Sequence, residues 1–245
     1  MGKFDGYLLV SDLDGTLIGR DHSVSDENVT AIREFVAEGG RFLGATGRTE
    51  LNVRPYTGGI PLSSPWILYN GAAIYDWERA SFIYKAPLPR SLAEAFVVRV
   101  MAKFRQVNVQ VYAGGPFCQV NPDGQPDAIA VREQQAFEDK PVEAITDDWL
   151  KVLFCSDVPE HLDGIEALFE SDPLRSVAHS MRSGPSYYEV TAQGVNKGTA
   201  LAHLKMLLDP APSRVVAIGD YNNDIEMLKE ADIPAAPESA LDEVK

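Results

Sequence analysis

Three short apolar runs without polar alternation organise the hydrophobic pattern of the chain: Leu8-Leu-Val10, Trp66-Ile-Leu-Tyr69 and Arg214-Val-Val-Ala-Ile218. Runs of this length read as strands buried on both faces of a parallel sheet. Between the first run and the next strand, Arg41 to Ala45, positions Val29, Ile32, Phe35 and Val36 recur at helical spacing, with Ser25 placed to cap the helix and Gly39-Gly40 to end it. Strand, helix and strand in that order predict a βαβ unit with a right-handed crossover. The same alternation returns late in the chain, with an amphipathic helix at Lys197–Leu208, the strand ending at Ile218 and a further helix opening at Asn223.

The stretch between follows another pattern. Ala73-Ile-Tyr-Asp76 and Phe82-Ile-Tyr-Lys85 predict a small hairpin, and from about Pro87 strands with period-two alternation take over. A helix over 91–104 leads to strands at Val107–Tyr112 and Phe117–Asn121. The polar stretch Glu133–Asp147 supports no assignment. Trp149–Cys155 reads as a strand, Pro159 opens a helix through Phe169, and Val177–Arg182 with Tyr187–Thr191 form a closing antiparallel pair. The expected fold is α/β: a Rossmann-like parallel-sheet core from residues 1–84 and 191–245, with an α+β domain over 85–190 inserted into it.

Charge narrows the partners. A formal net charge of −14 over 245 residues argues against nucleic acid and anionic membrane. No apolar stretch approaches membrane-spanning length, and the N-terminus has no basic segment leading into an apolar one, so a cytoplasmic location is expected. Cys118 and Cys155 have no metal-binding or redox spacing and are expected to be buried free thiols; His22, His161, His179 and His203 are scattered. An anionic substrate would have to be drawn to a few local cations against the field of the whole protein.

Candidate chemistry falls where strands end. Asp12 and Asp14 follow Leu8-Leu-Val10, and carboxyl ends of parallel strands are where ligands bind. Two acids this close repel, which a divalent cation or a retained proton relieves; the first leaves Asp12 ionised and nucleophilic, the second makes Asp14 a general acid. Taken alone, D-x-D-G is also an ordinary turn. Thr46 and Gly47 follow another strand and offer a hydroxyl and an unobstructed amide to a phosphate oxygen. Lys197 and Asn223 each begin a helix, where free amides favour an anion. Asp220 and Asp224 fall in the turn and helix start after Ile218, a place the helix dipole alone would favour for acids.

Four segments in order, Asp12-Leu-Asp-Gly-Thr16, Phe42-Leu-Gly-Ala-Thr-Gly-Arg48, Asn196-Lys-Gly198 and Ile218-Gly-Asp-Tyr-Asn-Asn-Asp224, resemble the signatures of the haloacid dehalogenase-like phosphohydrolases. The resemblance implies that Asp12 attacks phosphorus to form an aspartyl phosphate, and that Asp14 protonates the leaving alcohol and later deprotonates water. It implies magnesium on the Asp12 carboxylate, the Asp14 main-chain carbonyl and Asp220, with Asp224 ligating directly or orienting a water. Thr46, Gly47, Lys197 and Asn223 would bind phosphate, and Asn70-Gly71 would lie beside the leaving-group pocket. Arg48 would stabilise the site or pair with an acid. The position of the insert resembles the C2-type cap of the Cof-type branch, subfamily IIB, which implies a small phosphorylated metabolite as substrate, a sugar phosphate by class. The rivals are a phosphotransferase or mutase using the same aspartyl phosphate and, more distantly, a non-enzymatic phospho-acceptor domain. Ile233–Ala240 departs from the family pattern by lacking a Gly-Asn-Ala turn, so a weakly supported sheet edge is expected.

Overall fold

The computed structural model describes residues 2–19 and 21–245. Two compact units emerge: one runs to Lys85 and resumes at Val195, the other runs from Ala86 to Gly194. The first opens with β1 (Tyr7–Ser11), α1 (Asp26–Ala37) and β2 (Arg41–Gly44), and the Ser25 hydroxyl accepts the Asn28 N–H to cap α1. A single helical turn, α2 (Glu50–Val53), precedes β3 (Trp66–Leu68), and β4 (Ala73–Asp76) and β5 (Ser81–Lys85) complete an antiparallel three-stranded sheet with it.

The second unit contains α3 (Arg90–Lys103), β6 (Asn108–Tyr112), β7 (Phe117–Gln119), α4 (Ala128–Arg132), β8 (Phe137–Asp139), β9 (Lys151–Cys155), α5 (Pro159–Glu170), β10 (Ala178–Gly184) and β11 (Tyr187–Ala192). Its strands form one sheet in the order β10-β11-β9-β6-β7-β8, antiparallel except where β7 meets β8. Val109, Val111, Val152, Phe154, Tyr188 and Val190 share one apolar core with Phe96 of α3 and Ile165 and Phe169 of α5. Because side chains alternate along a strand, Asn108, Gln110, Tyr112, Lys151 and Glu189 occupy the opposite face. The unit extends to Gly194 because β11 stays paired with β10 as far as Ala192.

The first unit closes with α6 (Lys197–Leu207), β12 (Arg214–Ile218), α7 (Ile225–Glu230) and β13 (Ile233–Ala235). All pairings in the sheet β13-β12-β1-β2 are parallel, and β3 continues it through a bridge between Ala45 and Ile67. At the sheet edge expected to be weakly supported, β13 has three residues, all exposed. Burial of β1 on both faces is not complete. Leu8 and Val10 are fully buried, whereas Leu9 and its cross-strand partner Val216 are only half-buried, because a groove of about 690 Å³ lined by Leu9, Phe35, Phe42, Ile218 and Ala235 opens beside α1. Among the described residues no helix is long and apolar enough to cross a membrane, and Cys118 and Cys155 are buried free thiols.

Candidate active site

Asp12 leaves β1 where the neighbouring strand also ends, its N–H donating to the Ile218 carbonyl at 2.9 Å. The chain then turns sharply, and a Cβ on Gly15 would lie 2.4 Å from Oδ2 of Asp220, so only glycine lets the turn pass this close to the second acid. Thr16 ends the turn and donates to Asp220 Oδ1 at 2.7 Å. Within the D-x-D-G-T segment the threonine thus fixes an acid more than two hundred residues away. Sequence reasoning assigned Thr16 no role; a hydroxyl directly after the acidic turn was the available signal.

Lys197 is the first residue of α6, whose start is capped by reciprocal bonds between Asn196 and Thr199. Gly198 lets this end of α6 close on α7, since a Cβ there would meet the Glu226 carbonyl at 2.4 Å. The Lys197 side chain is 0% exposed, and Nζ donates to Asp12 Oδ1 at 2.5 Å and to Asp224 Oδ1 at 2.7 Å. The other Asp224 oxygen accepts the backbone N–H groups of Asp220 and Tyr221 at 3.0 and 3.1 Å. Asp224 therefore anchors both the lysine and the turn that carries Asp220. Asn223 lies in a 3₁₀ turn over Asn222–Asp224, and α7 begins only at Ile225, so its expected position at a helix start is moved by one tight turn.

Burial pushes the Asp12 carboxyl up from its ordinary 3.8 to about 7, against the pull of Lys197 and with the repulsion of Asp224 added. Burial also works against the charge on Lys197, but Asp12 and Asp224 outweigh it and hold the ammonium above the usual lysine range.

A second strand end supplies the rest. The Thr46 N–H donates to Ile67 O at 2.9 Å, and its hydroxyl accepts the Arg48 N–H at 3.2 Å. The backbone N–H of Asn70 donates to the Thr46 carbonyl at 2.9 Å, while Asn223 Nδ2 donates to Asn70 Oδ1 at 3.1 Å. Gly47 lies against the Asn70 amide, 3.0 Å from where a Cβ would stand. Tyr69 and Asn70 both have left-handed backbones, φ 54° and 55°, which is costly for a bulky residue. The Tyr69 hydroxyl offsets part of that cost with a buried 2.5 Å bond to Glu50. Gly71 backs onto Asn196, joining this loop to the start of α6. Asp14 faces Arg48, whose Nε and Nη2 donate to its two oxygens at 2.8 and 2.7 Å. The guanidinium rests on Tyr56, 4.5 Å from the ring centroid, a support that nothing in the sequence had marked.

All eleven sequence-derived positions, Asp12, Asp14, Thr46, Gly47, Arg48, Asn70, Gly71, Lys197, Asp220, Asn223 and Asp224, thus meet at one end of the first unit. The donor set suits a hard cation. One carboxylate oxygen from each of Asp12, Asp220 and Asp224 lies within 4.8 Å of the others. Among the described residues, the four carboxylates Asp12, Asp14, Asp220 and Asp224 are set against two cations, Lys197 and Arg48, which leaves a formal deficit that a divalent ion would fill.

Acids, a buried lysine and small residues gathered at the strand ends of a parallel sheet define an α/β enzyme with its site at the sheet's carboxyl edge. The haloacid dehalogenase-like hydrolase model matches residues 9–245. The chain is 32% identical over 244 residues to the 5-amino-6-(5-phospho-D-ribitylamino)uracil phosphatase YcsE of Bacillus subtilis, covering 98% of this chain and 87% of the relative. An HMP-PP phosphatase of Yersinia pseudotuberculosis is 28% identical over 246 residues, covering 97% and 86%. The crystal structure of a haloacid dehalogenase-like hydrolase from Bacteroides thetaiotaomicron superposes with a TM-score of 0.85 at 25% identity, covering 99% and 91%. The chain belongs to the haloacid dehalogenase-like hydrolases, in their Cof-type branch, and is an enzyme of the phosphatase type.

Proposed function

We propose that this protein is a magnesium-dependent phosphatase that hydrolyses the phosphate monoester of a small metabolite, a sugar phosphate by class, through an aspartyl phosphate on Asp12. The observation that carries the reading is the buried contact of Lys197 with both Asp12 and Asp224, with Asp220 alongside. It aims a carboxylate, already held in place, at the end of a strand where an anion needs a nucleophile and a counter-charge.

Asp12 Oδ2 attacks phosphorus while Lys197 holds Oδ1 and supplies positive charge to the phosphate. The Thr46 hydroxyl, the Gly47 amide and Asn223 bind phosphate oxygens, and the Asn70 amide orients Asn223. Asp14 gives a proton to the departing oxygen and takes one from the water that cleaves the aspartyl phosphate. Asp12 and Asp220, with the Asp14 main-chain carbonyl, would hold magnesium, which when bound supplies charge neutralisation for the phosphate oxygens. Asp224, which also anchors Lys197 and the Asp220 turn, would ligate directly or orient one of the ion's waters. The inserted unit acts as a cap that selects the leaving group. The B. subtilis relative is named for a phosphate on a ribityl chain.

A hydrolysis screen over phosphorylated metabolites with magnesium, beside Asp12→Asn, tests this. Turnover should fall by more than ~10³-fold in the variant with the fold intact. Retained turnover would remove Asp12 as nucleophile, and phosphate release only with an added acceptor alcohol would point to phosphoryl transfer instead.

A further inference from the structure

We propose that Arg48 is the positioning residue of Asp14, holding its carboxyl in the orientation from which it exchanges a proton with the leaving oxygen. The inference rests on the reading of Asp14 as acid and base given above. The guanidinium grips both carboxylate oxygens in a fork, Nε on Oδ2 at 2.8 Å and Nη2 on Oδ1 at 2.7 Å. The two partners are unequally anchored: the Arg48 side chain is 13% exposed and that of Asp14 51%. Arg48 is further fixed by the Tyr56 ring beneath its guanidinium and by its own N–H on the Thr46 hydroxyl. The arginine is the seated member of the pair, and the half-exposed acid takes its orientation from it.

The fork also fits the proton traffic. Ionised Asp14 accepts from both Nε and Nη2. Once one oxygen carries a proton it stops accepting, and Arg48 retains the other, so a single N–H···O bond sets where the O–H points. As the bond from phosphorus to the leaving oxygen breaks, that proton passes to the leaving oxygen and the two-pronged grip returns. In the second half a water proton passes to Asp14 as the water oxygen bonds to phosphorus and the Asp12–phosphorus bond breaks. Arg48 should therefore matter in proportion to how badly the leaving oxygen needs a proton.

The test compares kcat/KM on p-nitrophenyl phosphate, whose leaving group departs without a proton, with that on a hexose 6-phosphate, whose alkoxide does not. Arg48→Met should lose ~10- to 10²-fold more on the alkyl ester than on the aryl one, a large part of what general acid catalysis contributes. Arg48→Lys, which keeps the charge but not the fork, should recover only part of that difference. In an Asp14→Asn background, Arg48→Met should add little further loss on the alkyl ester. Equal losses on the two esters, or additive losses in the double variant, would make Arg48 a phosphate-binding or purely structural group and overturn the inference. If Arg48→Met does not fold by circular dichroism, the ester difference in Arg48→Lys decides in the same way. Where the hexose ester is not a substrate, an alkyl phosphate hydrolysed in the metabolite screen takes its place. Wild-type protein that hydrolyses no phosphate ester of that screen with magnesium refutes the reading of the site itself, a result visible before any Arg48 variant is made, and the inference falls with it.

Discussion

Two buried lysines, one in each unit, are both paired with carboxylates and serve different ends. Lys197 meets Asp12 and Asp224, which lie 185 and 27 residues away in the chain and arrive from the ends of separate strands. Lys151 meets Glu189 at 3.3 Å and lies 4.6 Å from the centre of the Tyr112 ring, and both partners come from strands paired with its own. The second cluster is dictated by register alone: Lys151 sits directly opposite Tyr112 of β6, and Glu189 of β11, paired with Leu153, is its diagonal neighbour. The first requires distant loops to converge, which no local pairing rule supplies. Burial and charge pairing therefore do not by themselves mark a reactive centre. Convergence at strand ends, with a nucleophile and a place for an anion, is the distinguishing feature.

The strongest way to break this comparison is to remove each lysine. Lys197→Met leaves two carboxylates pressed together without a counter-charge, and Lys151→Met leaves one. Breaking a buried pair costs ~3–5 kcal/mol, so urea denaturation in EDTA should place Lys197→Met at the upper end of that range and Lys151→Met at the lower. Turnover of p-nitrophenyl phosphate should vanish in the first and persist in the second. A folded Lys151→Met variant without activity on that small ester would place both lysines in the chemistry and dissolve the distinction.

A second, smaller effect distinguishes the strand-end cluster by its response to pH and metal. Folding raises the Asp12 carboxyl from 3.8 to about 7. The folded form thus binds the proton more tightly than the unfolded one, so this contribution to stability is complete below the unfolded value and is lost as pH rises through about 7. Lys197, also raised, loses its contribution only above the ordinary lysine range. In EDTA the melting temperature should fall between pH 5 and pH 8, and Asp12→Asn should flatten that fall. Magnesium should raise the melting temperature more at pH 8, where no proton competes for Asp12, than at pH 5. A magnesium effect larger at pH 5 would separate Asp12 from the metal.

The same contrast explains what could be read from the sequence. Strand ends are marked by a change from apolar run to small or acidic residues, so Asp12, Thr46 and Asp220 were legible, and the apolar spacing of α1 and α6 set the alternation that brings them to one edge. Partners contributed by a turn were not. Thr16 reaches Asp220, and Tyr56 supports Arg48, through geometry that exists only after the sheet has formed. Lys151 gave no signal either, because a lysine within a strand ordinarily faces solvent, and its burial depends on the face opposite the α3–α5 core. The three residues of β8, Phe137-Glu-Asp139, are all exposed and carry no alternation, which is why the polar stretch around them supported no assignment. Leu9 shows the reverse error: an unbroken apolar run marks a strand, but it cannot say whether a helix lies over each face.

The smallest expected effect tests whether rigidity, as well as charge, separates the two regions, by making the same substitution at a left-handed glycine in each. Gly71 has φ 100°, and a Cβ there would come 2.2 Å from the backbone carbonyl of Asn196, the residue that caps α6 and precedes Lys197. Gly115, in the loop between β6 and β7, has φ 73° and nothing within 4 Å of a Cβ. Gly115→Ala should carry only the cost of a left-handed alanine, ~1–2 kcal/mol, with turnover unchanged. Gly71→Ala adds a clash with backbone that cannot swing aside as a side chain would, so α6 must move and carry the Lys197 ammonium with it. A displacement of about 1 Å at a catalytic group is enough to cost ~10²-fold in rate, so kcat should fall in Gly71→Ala well beyond what its loss of stability explains. Equal stability losses and unchanged turnover in both variants would mean that the strand-end cluster tolerates movement, and that its precision does not come from the left-handed loop packed beneath α6.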